Sequence, residues 1–322
     1  MLDRSLRIAA AVILTLAACG AHAQSYPTKV IRVINPNAPG GNSDIVFRLL
    51  SGKMSEILGQ QLVIDYRPGA GGNIGAELIA RAAPDGYTVG ITAGSFLINP
   101  SLIKNLPFDT LKDFTPLGLV VDIPAALVTH PSLPVKSVKE LIALARARPE
   151  QIFYSTSGPG TVGHLSAELL SSLTHIKMVH VPYKGAGPSV IDLIAGHVQL
   201  SFVSIPAIIG YVQAGKLRML AQCGEKRSAS VPDVPTMQEA GVPGFVVSSG
   251  FSFVGPAGLP RPIVDKLNGA LVSALNDPKV HKQLIERGAD PIGNTPAQHA
   301  EFIRVEIAKW QKIAKQAGIV PQ

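Results

Sequence analysis

The residues best suited to chemistry in this 322-residue chain are glycines, small hydroxyls and one asparagine, gathered in loops that follow β-rich runs. The first loop is Ala38-Pro39-Gly40-Gly41-Asn42-Ser43-Asp44, between an apolar run at 30–34 and a helical pattern. The second is Thr156-Ser157-Gly158-Pro159-Gly160-Thr161-Val162-Gly163-His164, which follows a run at 151–155 in the same way. A helix start presents unpaired N–H groups and the positive end of the helix dipole, so it can hold an anion. Glycine lets the backbone approach a ligand closely. Asn42 or Ser43 can cap the first helix or donate to a carboxylate. A plain capped turn would use the same residues.

The second loop also contains G-x-G-x-x-G, which invites a dinucleotide reading. That fingerprint needs an acidic residue about twenty positions on to hold a ribose. Pro182-Tyr183-Lys184 stands there instead, so no cofactor is expected and the loop keeps its simpler content, backbone donors at a helix start. A third loop, Gly69-Ala70-Gly71-Gly72-Asn73-Ile74-Gly75, has the wrong spacing and suits close helix–strand packing. Thr92-Ala93-Gly94-Ser95 ends a strand with a small hydroxyl and is compatible with a ligand.

Catalytic constellations are poorly represented. The chain has neither G-x-S-x-G nor H-E-x-x-H. His130, His164, His175, His180, His197, His281 and His299 are dispersed without metal-ligand spacing, and no metal is expected. His164 opens the second anion-site helix, where a structural cap is the bland reading. Cys223 follows a β-run and reads as a buried small residue.

These loops need a scaffold of alternating strands and helices. The pattern predicts a helix from 43, with Val46, Leu49, Leu50, Met54 and Ile57 on one face, then strands at 61–65 and 87–92 around a helix ending near 83. Helices follow at 138–148, 164–173 and 188–195, with strands at 178–181, 198–203 and 217–222. A β segment near 245–254 precedes helices at 262–275 and 296–316, the last with Ile303, Ile307, Trp310 and Ala314 on one face. Strand–helix–strand order implies parallel pairing through right-handed crossovers, hence an α/β class. The length suits two lobes, 24–123 plus 248–322 and 124–247. The chain would cross between them near 121–124 and 243–249, and the final helices would return to the first lobe.

Hydrophobic residues make up 46% of the chain and charged residues 16%, enough apolar material for large cores. The net charge of +7 comes from scattered basic residues without interleaved aromatics, so nucleic acid is not an expected partner. Arg4 and Arg7 precede an apolar stretch at 8–18 and Ala21-His22-Ala23, which reads as a signal peptide over 1–23 and predicts export to the periplasm. Leu16-Ala17-Ala18-Cys19 offers the alternative of a lipid-anchored form. Cleavage after Ala23 leaves Cys223 as the remaining cysteine, so no internal disulfide is expected.

Several motifs carry a family resemblance. They are Tyr26-Pro27 with Lys29, Pro39-Gly40-Gly41 with Asp44, Asn73-Ile74-Gly75-Ala76-Glu77, and Ala82-Ala83-Pro84-Asp85-Gly86-Tyr87-Thr88. His180-Val181-Pro182-Tyr183-Lys184-Gly185, Pro232-Asp233-Val234-Pro235-Thr236 and Pro256-Ala257-Gly258 continue the series. Together they resemble the extracytoplasmic receptors of tripartite tricarboxylate transporters, the Bug-type solute receptors. The resemblance implies a two-lobed periplasmic binding protein of Venus-flytrap, type II-like form, with two parallel-rich α/β lobes joined by two crossover segments. It implies a monomer that binds a small carboxylate (a di- or tricarboxylate, an aromatic acid or an acidic amino acid) and serves membrane transporter subunits, without catalysis.

Carried over by position, the carboxylate grip falls on Ala38, Gly40, Gly41, Asn42, Ser43 and Asp44 in one lobe. In the other it falls on Ser157, Gly160, Thr161, Val162 and His164. Ala93, Gly94, Ser95 and Ser204 would line the rest. Many relatives carry a bulky aromatic where this chain has Gly250, a departure that predicts extra room and a larger or aromatic acid. The competing class is an exported hydrolase or oxidoreductase that uses the loop from Gly158 to Gly163.

Overall fold

The computed structural model describes residues 26–37, 39–247, 250–316 and 321. The expected signal peptide with Cys19, the loop residue Ala38, and Ser248 and Ser249 lie outside the described residues. The first part of the chain runs β1 (Ile31–Asn35), α1 (Asn42–Leu58), β2 (Leu62–Tyr66), a 3-10 turn at Ala70–Gly72, α2 (Asn73–Ala80), β3 (Thr88–Thr92), α3 (Ser95–Ile98) and β4 (Phe114–Asp122). The middle part continues β5 (Ala125–Thr129), α4 (Val138–Ala147), β6 (Phe153–Thr156), α5 (Val162–Thr174), β7 (Val179–Pro182), α6 (Ala186–Ala195), β8 (Leu200–Ser204), α7 (Ile205–Gln213) and β9 (Arg218–Gln222). The last part is β10 (Phe251–Pro256), α8 (Arg261–Leu275), α9 (Pro278–Glu286), β11 (Asp290–Pro291) and α10 (Pro296–Gln316).

Local signals start several helices. Ser137 caps α4 by accepting the Glu140 N–H, while Glu140 Oε2 accepts the Lys136 N–H, a near-reciprocal capping box. Asp277 accepts from Lys279 and Val280 at the start of α9, with Pro278 at the first helical position, where its missing N–H costs nothing. The two glycine loops behave differently. Gly41 and Thr161 are the N-caps of α1 and α5, and neither helix has a side-chain cap. The capping expected of Asn42 or Ser43 therefore does not occur. The Ser43 hydroxyl turns back to Asn35 Oδ1 at 3.0 Å instead.

Two sheets form, a two-lobed α/β fold with strand orders β11-β4-β10-β3-β1-β2 and β7-β6-β8-β5-β9. The helix-linked strands pair in parallel as expected: β1 with β2 and β3, and β6 with β7 and β8. The rest do not, so the sheets are mixed rather than parallel-rich. β10 is antiparallel to β3 and β4, and β5 is antiparallel to β8 and β9. These are the strands that pass between sheets. β4 hands over to β5 across Ile123-Pro124 alone, so the chain passes directly from the first sheet into the second. On the return, Val247 still donates to Cys223 O at 2.8 Å beside the second sheet, while Phe251 already pairs with Val121 in the first.

Gly250 does not open the interior. A Cβ there would stand 2.6 Å from Val121 O, so the residue is small because it is wedged against β4. The extra room expected at this position is not found. The closing helix α10 buries Ile303, Ile307, Trp310 and Ala314. It lies on β4 and also against α5, with Lys309 Nζ donating to Val246 O at 3.1 Å. One apolar cluster consequently runs from Ile34 and Phe96 through Trp310 to Leu165 and Phe202, tying the two sheets together.

Candidate ligand cleft

A cleft of about 570 Å³ lies where the carboxyl ends of strands from both sheets converge, within the size range of small-molecule sites. Its second-sheet wall is the loop after β6, the end of β8 and the start of α6. Thr156, at the end of β6, is buried, and its Oγ1 accepts the Gly158 N–H at 3.2 Å. Thr161 Oγ1 donates to Gly158 O at 2.8 Å and closes the turn. Gly160 adopts a left-handed φ of 72°, which side chains rarely tolerate. Gly163 has another constraint: a Cβ would sit 2.7 Å from Phe202 O, so only glycine lets the first turn of α5 lie directly on β8.

The outcome is a cluster of backbone donors. The amides of Thr161, Val162 and Gly163 take no partner among the described residues, and all three residues line the cleft. They open a 13-residue helix, whose dipole adds positive potential at the same place.

His164 supports this loop from beneath. Its Nδ1 accepts the Gly160 N–H at 3.1 Å, which it can do only while that nitrogen is unprotonated. The ring stacks on His180 at 4.1 Å, and His180 stacks on Tyr154 at 5.0 Å. Burial lowers both histidines, against a smaller upward pull of Glu168 on His164, and His180 falls to about 4 with help from His164. Burial thus favours the neutral form of both rings, the form in which His164 Nδ1 can accept. His180 Nε2 lies 2.7 Å from Thr156 Oγ1, the kind of contact a hydrolase would use, but that hydroxyl is sealed below the loop at 1% exposure. Among the described residues, no group of His, Cys, Asp and Glu could hold a metal ion. The Cys223 thiol is fully buried and pushed well up by that burial.

The first-sheet wall consists of Gly71, Ser95 and the segment Ile98, Asn99, Leu102 and Ile103. Of the residues singled out in the sequence, Ser95, Ser157, Gly160, Thr161, Val162 and Ser204 meet at this cleft. Gly163, part of the second glycine loop, joins them. His164 lies one layer behind the lining.

Gly40, Gly41, Asn42, Ser43 and Asp44 do not line this cleft, nor do Ala93 and Gly94. Asn42 lines a smaller neighbouring cavity of about 240 Å³ with Ile45, Val46, Ile123, Pro206, Arg287 and Ala289. Ser204 on the main cleft and Pro206 on the smaller cavity flank the start of α7, so that helix start lies between the two.

The first loop is held by its own acid. Asp44 accepts Gly40 N–H at 2.8 Å, Tyr66 O–H at 2.6 Å and Arg48 Nε at 2.7 Å. Burial raises the Asp44 carboxyl, but these three donors and the Arg48 charge outweigh it and leave the group below the usual carboxylate range. Gly40/Asp44 and Gly160/His164 are thus the same device in two places: a left-handed glycine whose N–H is taken by the side chain four residues on.

Sequence reasoning missed Ile98, Asn99, Leu102, Ile103, Ala186, Ser189, Ser201 and Phe202 on the lining. The turn from Ile98 to Ile103 carries no periodicity, and the period of β8 and α6 marks buried faces rather than a cleft, so the glycine loop, Ser95 and Ser204 were the signals that marked the place.

Comparison with known proteins fits this geometry. Residues 46–319 match the family described as tripartite tricarboxylate transporter family receptor. BugT of Bordetella pertussis is 37% identical over 298 residues, covering 92% of this chain and 91% of that protein. A solved structure of Rhodopseudomonas palustris Rpa4515 with adipate is 38% identical, covers 92% of this chain and 100% of that one, and superposes with a TM-score of 0.79. MatC from Rhodopseudomonas palustris with bound malate is 32% identical, with 89% and 99% covered and a TM-score of 0.74. The chain belongs to the tripartite tricarboxylate transporter family of receptors.

Proposed function

We propose that this chain is a periplasmic solute receptor that captures a carboxylate between its two lobes and delivers it to a membrane transporter without transforming it. The observation that carries this reading is the set of free amides of Thr161, Val162 and Gly163 opening into the cleft at a helix start. Adipate and malate on relatives of the same family support a carboxylate as the guest. Ser95, Ser157 and Ser204 supply neutral hydroxyls around it.

In this reading the lobes are 24–123 plus 248–322 and 124–247, and they close by bending where the chain first crosses between them, at Ile123-Pro124. Closure around the guest would present one surface to the transporter. Export would proceed through removal of 1–23. The enzyme alternative has less support, because the Thr156–His180 contact is out of reach of a substrate.

Thermal unfolding with adipate, malate, citrate, glutamate and benzoate tests the proposal. A guest at a hundred times its Kd stabilises the native state by about 2.7 kcal/mol, and at least one acid should raise the midpoint by several degrees. A flat response to every acid would defeat the reading.

A further inference from the structure

The chemistry of the cleft lining points to the class of acid it takes, an inference that rests on the carboxylate-receptor reading. Among the described residues, no lining side chain is charged. The anion-holding groups are neutral amides and hydroxyls on the second-sheet wall. On the facing wall Ile98, Leu102 and Ile103 form an apolar stretch beside Ser95 and Asn99, and the Asn99 amide is already engaged, donating to Asn73 Oδ1 at 2.8 Å. Leu102 reaches across the cleft: its Cδ1 lies 2.5 Å from where a Cβ on Gly160 would be, so it rests on the amide loop itself. Lys104 follows Ile103 in the chain but is exposed and does not line the cleft.

From this lining we infer that the cleft selects a carboxylic acid with a continuous apolar chain or ring over acids that carry charges along their length. One carboxylate finds the free amides at the start of α5. A second or third finds no cation inside, and burying an unpaired charge is costly. An α-ammonium finds no lining carboxylate. An apolar body, by contrast, is removed from water against Ile98, Leu102 and Ile103 and gains affinity with each CH₂ buried. Citrate and glutamate are therefore poor guests, and hexanoate and benzoate are good ones.

Titration calorimetry of the full chain with these four acids, together with adipate and malate, tests the inference. The expected result is that hexanoate or benzoate binds at least tenfold more tightly than citrate and glutamate. Leu102→Arg places a guanidinium beside the amide loop; it should strengthen citrate at least tenfold and weaken hexanoate. Ile103→Lys, at a half-buried position on the same wall, makes the same comparison if Leu102→Arg lowers the ligand-free midpoint too far. Citrate or glutamate binding the native chain as tightly as hexanoate and benzoate would overturn the inference and leave the receptor reading standing. An unchanged ranking in the folded variants would also overturn it, because that wall would then not touch the guest. No binding by any of the six acids would remove both readings.

Discussion

Replacing Gly163 by alanine should damage stability and binding together. An added Cβ would stand 2.7 Å from the carbonyl oxygen of Phe202, whereas ordinary contact begins near 3.4 Å. The obstacle is strand backbone, which cannot rotate aside as a side chain would. The first turn of α5 must therefore lift off β8 by several tenths of an ångström, carrying the amides of Thr161, Val162 and Gly163 with it. Overfilling a packed contact of this kind costs about 1–3 kcal/mol. At roughly 2–4 °C per kcal/mol, the midpoint should fall by several degrees.

Misplacing one amide from a bound carboxylate forfeits a charge-assisted hydrogen bond of about 1.5–3 kcal/mol, so affinity should drop roughly ten- to a hundredfold. Scanning calorimetry gives the first quantity, and titration of hexanoate or of the tightest panel acid gives the second. Gly52→Ala is the matched control. Gly52 lies inside α1 with nothing within 4 Å of a new Cβ, so alanine should stabilise by about 0.5–1 kcal/mol and leave binding untouched. A Gly163→Ala protein with native midpoint and native affinity would refute the reasoning that this glycine holds the amide cluster against β8.

Three further outcomes follow from the same structure. Asp44→Asn keeps the size of the side chain but removes the charge that gathers Gly40, Tyr66 and Arg48; denaturant unfolding should record a loss of about 1–3 kcal/mol, and a loss below a few tenths would contradict that role. Burial holds His299 down to about 3 and His180 to about 4, each below its unfolded value, so the unfolded chain takes up protons first as the pH falls. Stability from these groups is complete above about pH 6.5 and is lost toward pH 4. The midpoint should fall over that window, less steeply in His299→Gln, and an equal slope in both proteins would argue against His299 as a source. Finally, the buried Cys223 thiol should resist a thiol reagent in the native protein and react on unfolding; rapid native labelling would mean that the second-sheet core opens locally.

Much of the scaffold was legible from local pattern. The alternation of strands and helices, the helix that starts after Ser137 and the buried face of α10 depend on residues near one another in sequence, where period and capping chemistry act. The second glycine loop was legible as a place of backbone donors because strand, glycines and helix start are contiguous.

What the sequence by itself determined, then, is the set of elements and the character of the loop from Ser157 to His164. The tertiary structure decided which loops face each other. The loop around Gly41 carries the same local signal as the loop around Gly160, yet only the latter lines the main cleft, because the start of α7 lies between the two cavities. The antiparallel entry of β5 and β10, the wedging of Gly250 against β4 and the seat of Leu102 on Gly160 join residues that lie far apart in the chain. Such contacts are fixed by how two sheets dock around shared core residues such as Trp310, and no local periodicity encodes that docking.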